Sequence, residues 1–354
     1  MPSCEPTPET IRDVEQLEEL LSRPTPPVIE TMARIEGDIL VLGVGGKIGP
    51  SLVRMARRAS DAAGRSTREA GRRRVLGAAR FSEPGLEERL RAQGIETIRC
   101  DLLDRAGLAA LPDAPNVFHL AAMKFGATGQ EPATWARNAY LPGLVCERFP
   151  ASRIVAYSTG NVYALTPPAA GGSRESDLPG PVGDYAMSCL GRERMFTYFS
   201  QARGTPVALL RLYYAHEMRY GVMVDLAGKV AAGLPVDLAM GYFNAIWQGD
   251  SNAMTLRALD LAASPPLVVN LAGMRALRVR EVAAELGRRL DRPVRFTGTE
   301  AADALLANTD LACRLFGPPQ IDEEQILRWV ADWQRRGGPT HGKPTHFETR
   351  DGKF

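Results

Sequence analysis

The chain has 354 residues, 45% of them hydrophobic and 24% charged, with a formal net charge of +2. That length suits one large α/β domain or one plus a smaller lobe, and the near-neutral balance excludes the strong field of a nucleic-acid binder. The five cysteines (Cys4, Cys100, Cys146, Cys189, Cys313) and four histidines have no metal-ligand spacing. No apolar run approaches the roughly 18 residues of a membrane span. A cytoplasmic protein with neither metal nor membrane contact is therefore expected.

Residues 1–36 precede the first strand. Ile11, Val14, Leu17, Leu20 and Leu21 recur at helical spacing, Pro24, Pro26 and Pro27 break the pattern, and a second short helix is expected up to Ile35. The segment reads as a helical extension packing on the main domain, with a partner-binding arm as the alternative. Ile39-Leu40-Val41-Leu42 then runs into Gly43, Gly46 and Gly49, and an amphipathic stretch with Leu52, Val53, Met55 and Ala56 follows. Strand, tight turn and helix are predicted. A glycine turn before a helix start presents free N–H groups to an anion and lets a pyrophosphate approach the backbone. Gly43, Gly46, Lys47, Ile48 and Gly49 are thus candidate pyrophosphate contacts. The spacing is G-x-x-G-x-x-G, since Ile48 stands where G-x-G-x-x-G needs its third glycine; an ordinary strand-to-helix turn is the bland alternative.

A polar, Arg-rich loop is expected over Ser60–Arg74, then a strand at Val75–Ala79, a helix at Pro84–Gln93 and a strand at Glu96–Arg99. Further strands are predicted at Val117–Ala122, Ile154–Tyr157 and Val207–Leu212, with helices at about Thr134–Arg148 and Tyr185–Gln201 between them. Thr166–Val182 reads as a Pro/Gly/Ser-rich loop, and Leu267–Leu271 is strand-like. The alternation predicts an α/β fold with a Rossmann-type, doubly wound parallel sheet. Ligands of such sheets sit at the carboxyl ends of the strands, where the glycine turn, Arg80, Asp101, Lys124, Ser158 and Thr159 all fall. The expected division is a dinucleotide-binding domain over 37–213 and a smaller, mostly helical substrate lobe over 214–336, with 241–275 returning to the first. Residues 337–354 read as an exposed polar tail, and His341 and His346 within it as solvated.

These pieces resemble the extended short-chain dehydrogenase/reductase family, closest to its nucleotide-sugar epimerases and dehydratases. The match runs over roughly residues 38–275, and more loosely to about 335. It consists of the glycine turn, Asp101-Leu102, His119-Leu120-Ala121-Ala122, Asn138, Tyr157-Ser158-Thr159 with Val162-Tyr163, Tyr185 opening a helix, and Leu210-Arg211-Leu212. Met123-Lys124-Phe125-Gly126, with Glu131-Pro132 and Asn138, looks especially like the epimerases. The resemblance implies that Asp101 and Leu102 flank an adenine, that Ala121 and Ala122 pass close to the cofactor, that Thr159 hydrogen-bonds the reacting substrate oxygen, and that Tyr185 is the general acid/base as hydride moves. It also implies a homodimer through the helices at Thr134–Arg148 and Tyr185–Gln201, with a small-molecule substrate.

One motif is broken. The family's Y-x-x-x-K reads Tyr185-Ala186-Met187-Ser188-Cys189 here. The resemblance gives the lysine two jobs, holding the nicotinamide ribose and stabilising tyrosinate. With a free pKa of about 10, roughly a thousandth of tyrosine is ionised at neutral pH, and moving it to about 7 needs roughly 4 kcal/mol that a neutral thiol cannot supply. Another cation, with Lys124 the candidate, replaces it; or the chemistry does not need a tyrosinate base or uses another base; or the protein binds a dinucleotide without turnover. Cys189 as a nucleophile is a further option, against the commoner role of a buried small hydrophobe.

The second strand ends in Arg80 with no carboxylate before Glu83, which leans from NAD toward NADP, because an arginine there suits a 2′-phosphate. Stacking on adenine is the other role for Arg80. Ser158, Tyr214, His216 and Arg219 are substrate candidates, through polar contact, stacking and charge. The family's Asn-x-Tyr-Gly is absent at this point. Trp247-Gln248-Gly249-Asp250 is expected near the same cleft.

Overall fold

The computed structural model describes residues 7–64, 73–124 and 126–353. Seven strands form one parallel sheet: β1 (Ile39–Leu42), β2 (Val75–Ala79), β3 (Glu96–Arg99), β4 (Asn116–His119), β5 (Arg153–Thr159), β6 (Val207–Leu212) and β7 (Leu267–Leu271). Their spatial order is β7-β6-β5-β4-β1-β2-β3, so the chain winds outward in both directions from β1. Each half of this order places crossover helices on one face.

The alternation along each strand explains the two cores. In β1, Ile39 and Val41 enter one apolar cluster and Leu40 and Leu42 the other. Val155 and Tyr157 of β5 join the first, Ile154 and Ala156 the second. Strands apolar on both sides are what a sheet covered by helices on both faces requires. The first face is covered by α3 (Gly49–Ala62) and α10 (Gln248–Arg257), the second by α7 (Leu141–Arg148) and α8 (Gly183–Arg203). Between these come α4 (Leu86–Ala92), α5 (Arg105–Ala109), α6 (Glu131–Trp135) and α9 (Val222–Ala231). The chain begins with α1 (Val14–Leu21) and α2 (Pro26–Arg34) and closes with α11 (Val279–Leu290), α12 (Asp310–Phe316) and α13 (Glu323–Arg335).

A third apolar cluster forms the smaller lobe, from α9, α11, α13 and short strand pairs. The extension before β1 bridges both parts. Leu17 and Leu21 of α1 enter the lobe's core, whereas Val28 and Met32 of α2 pack on the sheet.

Three expectations change. The helix predicted over Thr134–Arg148 is α6 and α7 joined by a π turn, Ala136–Tyr140. Ser60, read as loop, lies in α3 with its hydroxyl on the Ala56 carbonyl at 2.8 Å, while residues 65–72 of that loop fall outside the described residues. The segment 337–353 is not a free tail: it is largely exposed, but Thr345 and Phe347 are buried. Thr345 donates to Asp225 through its hydroxyl (2.6 Å) and its N–H (2.8 Å), and His341 Nε2 lies 3.0 Å from Glu217. Phe347 sets its ring against Phe243. One buried aromatic ring and a few polar contacts anchor the segment, and no helical or strand period announces such an anchor.

Candidate active site

The glycine turn sits where β1 ends. Gly43 has φ +86, and a Cβ there would lie 2.6 Å from the backbone nitrogen of Ala121. Only glycine lets the ends of β1 and β4 come this close. At Gly49 a Cβ would fall 2.2 Å from the Val44 carbonyl oxygen, so the turn folds back on its own helix start. Helix α3 then opens without a side-chain cap, leaving its first N–H groups for an anion in the cleft.

Two adjoining hollows run along the carboxyl ends of the strands and share Gly43, Gly46, Leu120 and Ala122. The first, toward β2 and β3, takes in Arg80, Asp101, Leu102, Ala121 and Arg137. The second, toward β5 and the lobe, takes in Lys47, Ile48, Gly49, Lys124, Ser158, Thr159, Tyr185, Arg192 and Tyr214. A ligand with two unlike ends joined by an anionic bridge matches this division, with the glycine turn at the join. A dinucleotide therefore fits the residues present.

Tyr185 lies at the second end, buried with Cys189, Tyr163, Tyr213 and Leu305. Burial pushes its phenol well above its ordinary value; the adjacent Cys189 adds to the rise, while the Arg192 charge and a hydrogen bond with Thr159 oppose it. Thr159 also accepts from the N–H of Asn161 at 3.2 Å and its side-chain amide at 3.0 Å, which fix the hydroxyl at the end of β5. Cys189 is fully buried behind Tyr185, and burial raises its thiol too. Neutral thiol and neutral phenol are the forms this setting favours.

The π turn positions a second group. Its extra residue turns Asn138 inward, where its side chain accepts from Met123 N–H (2.8 Å) and donates to the Met123 carbonyl (3.0 Å) and the Ser188 hydroxyl (3.0 Å). Asn138 thus clamps the loop after β4 to α8. Such turns occur often at functional sites.

Two lysines enter the cleft and both are shifted by burial. Lys47 donates to the Ala215 carbonyl at 2.7 Å and lies 4.6 Å from the Tyr220 ring centre; burial lowers it to about 7, against the pull of Glu217. Lys124 stands 3.4 Å from the Thr345 carbonyl and 5.8 Å from the Tyr214 ring centre; burial lowers it to about 8, with Cys189 and Asp225 opposing.

Not every predicted substrate residue reaches the cleft. Ser158 and Tyr214 line it, although the Ser158 hydroxyl is spent on Glu193 at 2.5 Å. His216 is turned away: its Nδ1 is 2.9 Å from the Tyr214 carbonyl and its Nε2 accepts from Met223 N–H at 3.1 Å. With both ring nitrogens taken by backbone, it has nothing to offer a ligand, and burial drives it to about 4. Arg219 is neutralised by Glu18 at 2.6 Å and Glu217 at 3.1 Å outside the cleft lining. Glu217 itself is pushed up by burial, but the His341 hydrogen bond, Lys47 and Arg219 outweigh this and hold it at about 2. Trp247, Gly249 and Asp250 line a separate cavity under α1 and α2. Arg192 and Arg137 line the cleft and were not singled out in the sequence. Arg192 was legible in principle, seven residues after Tyr185 on one helix face.

The NAD dependent epimerase/dehydratase family matches residues 39–216, half of the chain and all of this cleft except Leu305 and Tyr220. The chain belongs to that family. No curated protein matches the sequence. Among solved structures, a UDP-glucuronic acid 4-epimerase from Bacillus cereus, bound to a fluorinated UDP-glucuronic acid and NAD, is 19% identical with a TM-score of 0.69, covering 84% of this chain and 99% of its own. The UDP-Glc/GlcNAc 4-epimerase from Campylobacter jejuni is 19% identical with a TM-score of 0.68, covering 85% and 100%. A UDP-glucose 4-epimerase from Thermotoga maritima is 17% identical with a TM-score of 0.67, covering 85% and 99%. At these identities the likeness is one of fold. No helix among the described residues is long and apolar enough to cross a membrane.

Proposed function

We propose that this family member is an NAD(P)-dependent epimerase- or dehydratase-type oxidoreductase acting on a nucleotide sugar. The observation that carries the reading is the bonded pair of Tyr185 and Thr159, placed where a dinucleotide cleft meets the second lobe. Bound in this cleft, a nicotinamide supplies a hydride acceptor and donor for a sugar carbon. Gly43, Gly46 and the α3 start hold the pyrophosphate, Asp101 and Leu102 border the adenine, and Ala121 and Ala122 floor the cleft. Thr159 orients the reacting hydroxyl. Tyr185 takes its proton and returns it. Lys124 and Tyr214 border the substrate end, where Lys124 adds positive charge. Arg80, just beyond β2, is the one observation that leans toward NADP, whereas the Bacillus cereus structure is described with NAD.

Cys189 stands where the resemblance places lysine. That observation supports a second reading, a dinucleotide sensor or scaffold without turnover. Two measurements separate them. Purified protein is denatured and any released nucleotide identified by mass spectrometry. The native protein is then incubated with UDP-glucose, UDP-glucuronic acid and UDP-N-acetylglucosamine plus NAD or NADP, and products are followed by NMR. A changed sugar supports the enzyme; bound nucleotide with every sugar unchanged supports the sensor. We further propose a homodimer through α8 and the stretch of α6, π turn and α7, which together expose Trp135, Tyr140, Met187 and Tyr198.

A further inference from the structure

Cys189 supplies no charge, yet a cation lies close by on the same helix. Arg192 is seven residues, two turns, beyond Tyr185 and one turn beyond Cys189, so the three share a face of α8. Arg192 is buried and lines the cleft. Three bonds fix it: Nη1 to the Tyr157 carbonyl at 2.8 Å, Nη2 to Asn138 Oδ1 at 2.9 Å and Nε to the Asn138 carbonyl at 3.3 Å. All three acceptors are uncharged. The adjacent carboxylate, Glu193, is already engaged by Arg211 at 2.7 Å and by the Ser158 hydroxyl at 2.5 Å. Among the described residues no carboxylate pairs with Arg192.

A buried cation without a counter-ion is costly, so its retention asks for a reason. A fixed charge in a cleft wall acts strongly on what faces it, because little water screens it. Tyr185 faces it. The other charged or titratable groups around the phenol are Cys189 on α8, Lys124 after β4, the Glu193–Arg211 pair, and the phenols of Tyr163 and Tyr213; Thr159 at the end of β5 adds a hydrogen bond. Burial acts most strongly on both Tyr185 and Cys189, raising them. Arg192 opposes it at both, and at Cys189 it acts ahead of Lys124.

We infer that Arg192 is a positioning residue that takes over the electrostatic half of the missing lysine's work, stabilising the phenolate form of Tyr185. In that form Tyr185 Oη accepts the proton of the substrate hydroxyl, and it returns that proton when hydride comes back. The inference rests on Tyr185 being the acid/base of the proposed reaction. The ribose-holding half of the lysine's work is not assigned to Arg192, whose bonds already point at Tyr157 and Asn138.

The test reads the phenol directly. With 3,5-difluorotyrosine placed at position 185 of the full-length protein, ¹⁹F NMR follows its ionisation without nucleotide or substrate. Arg192→Gln is expected to raise the apparent pKa by about one unit, a tenfold fall in the ionisation constant. Arg192→Met gives the same shift if the glutamine variant does not fold. Arg192→Lys shifts it less, and adding Cys189→Lys to Arg192→Gln brings it back. A titration unmoved in both neutral variants, with native circular dichroism, would overturn the inference. So would a larger shift from Lys124→Ala. Failure of nucleotide binding or sugar turnover would sink the proposed function and leave this titration readable.

Discussion

At the scale of single residues, the site is a set of groups whose charge burial has made conditional. Lys47 and Lys124 sit near 7 and 8, so at pH 8 both are partly neutral. An incoming pyrophosphate favours the charged form of Lys47, which belongs to the glycine turn. Dinucleotide binding at pH 8 is therefore expected to take up roughly one proton, and affinity to fall as pH rises from 6.5 to 9. Calorimetry in buffers of different ionisation enthalpy measures the uptake, and Lys47→Met should reduce it; proton release on binding would contradict this reading. Arg80 makes a separate prediction. NADP should bind more tightly than NAD, and Arg80→Ala should remove at least about tenfold of that preference. Tighter NAD binding by the unaltered protein, in a fluorescence titration, would refute it.

At the scale of elements, what the sequence made legible was periodic and what it hid was not. Val75–Ala79 and Val207–Leu212 are strands with the expected bounds because parallel strands covered on both faces are short apolar runs between polar ends, whereas Glu96–Arg99 is a polar strand at the sheet edge. The π turn at Ala136–Tyr140 left no such trace, since one extra residue in a helix changes no composition. The cofactor half of the cleft was readable because glycines and strand ends are local signals. The substrate half was not, because which of Tyr214, His216 and Arg219 faces the cleft depends on the sharp turn after the short strand Tyr214–His216. There Gly221, at φ +146, passes the His216 ring at a distance that would exclude a Cβ. The C-terminal segment depends on contacts far apart in sequence. Phe347 is the test: Phe347→Ala should cost about 3–5 kcal/mol of stability, and a change below about 1 kcal/mol in denaturant unfolding would mean that the segment is not anchored as described.

At the scale of the whole molecule, the cleft is built by two bodies. The sheet supplies the nucleotide half, the lobe supplies Tyr214, Tyr220 and Leu305, and α1 and α2 tie the bodies together from behind. Covering α8 and the stretch of α6, π turn and α7 in a dimer would bury Tyr140 and Tyr198, both more than half exposed in one chain. Sedimentation should give twice the 38.5 kDa chain mass, and Tyr140→Glu with Tyr198→Glu should shift it to one; a monomeric parent protein would contradict the proposed interface. The proposed function stands or falls on Tyr185 moving a proton in a sugar redox step at this cleft. Turnover of UDP-glucose, UDP-glucuronic acid and UDP-N-acetylglucosamine is compared between the unaltered protein and Tyr185→Phe, whose fold and nucleotide affinity are checked alongside. A fall of about 10²–10⁴-fold in kcat with binding retained is expected, and undiminished turnover in Tyr185→Phe would rule out Tyr185 as the acid/base.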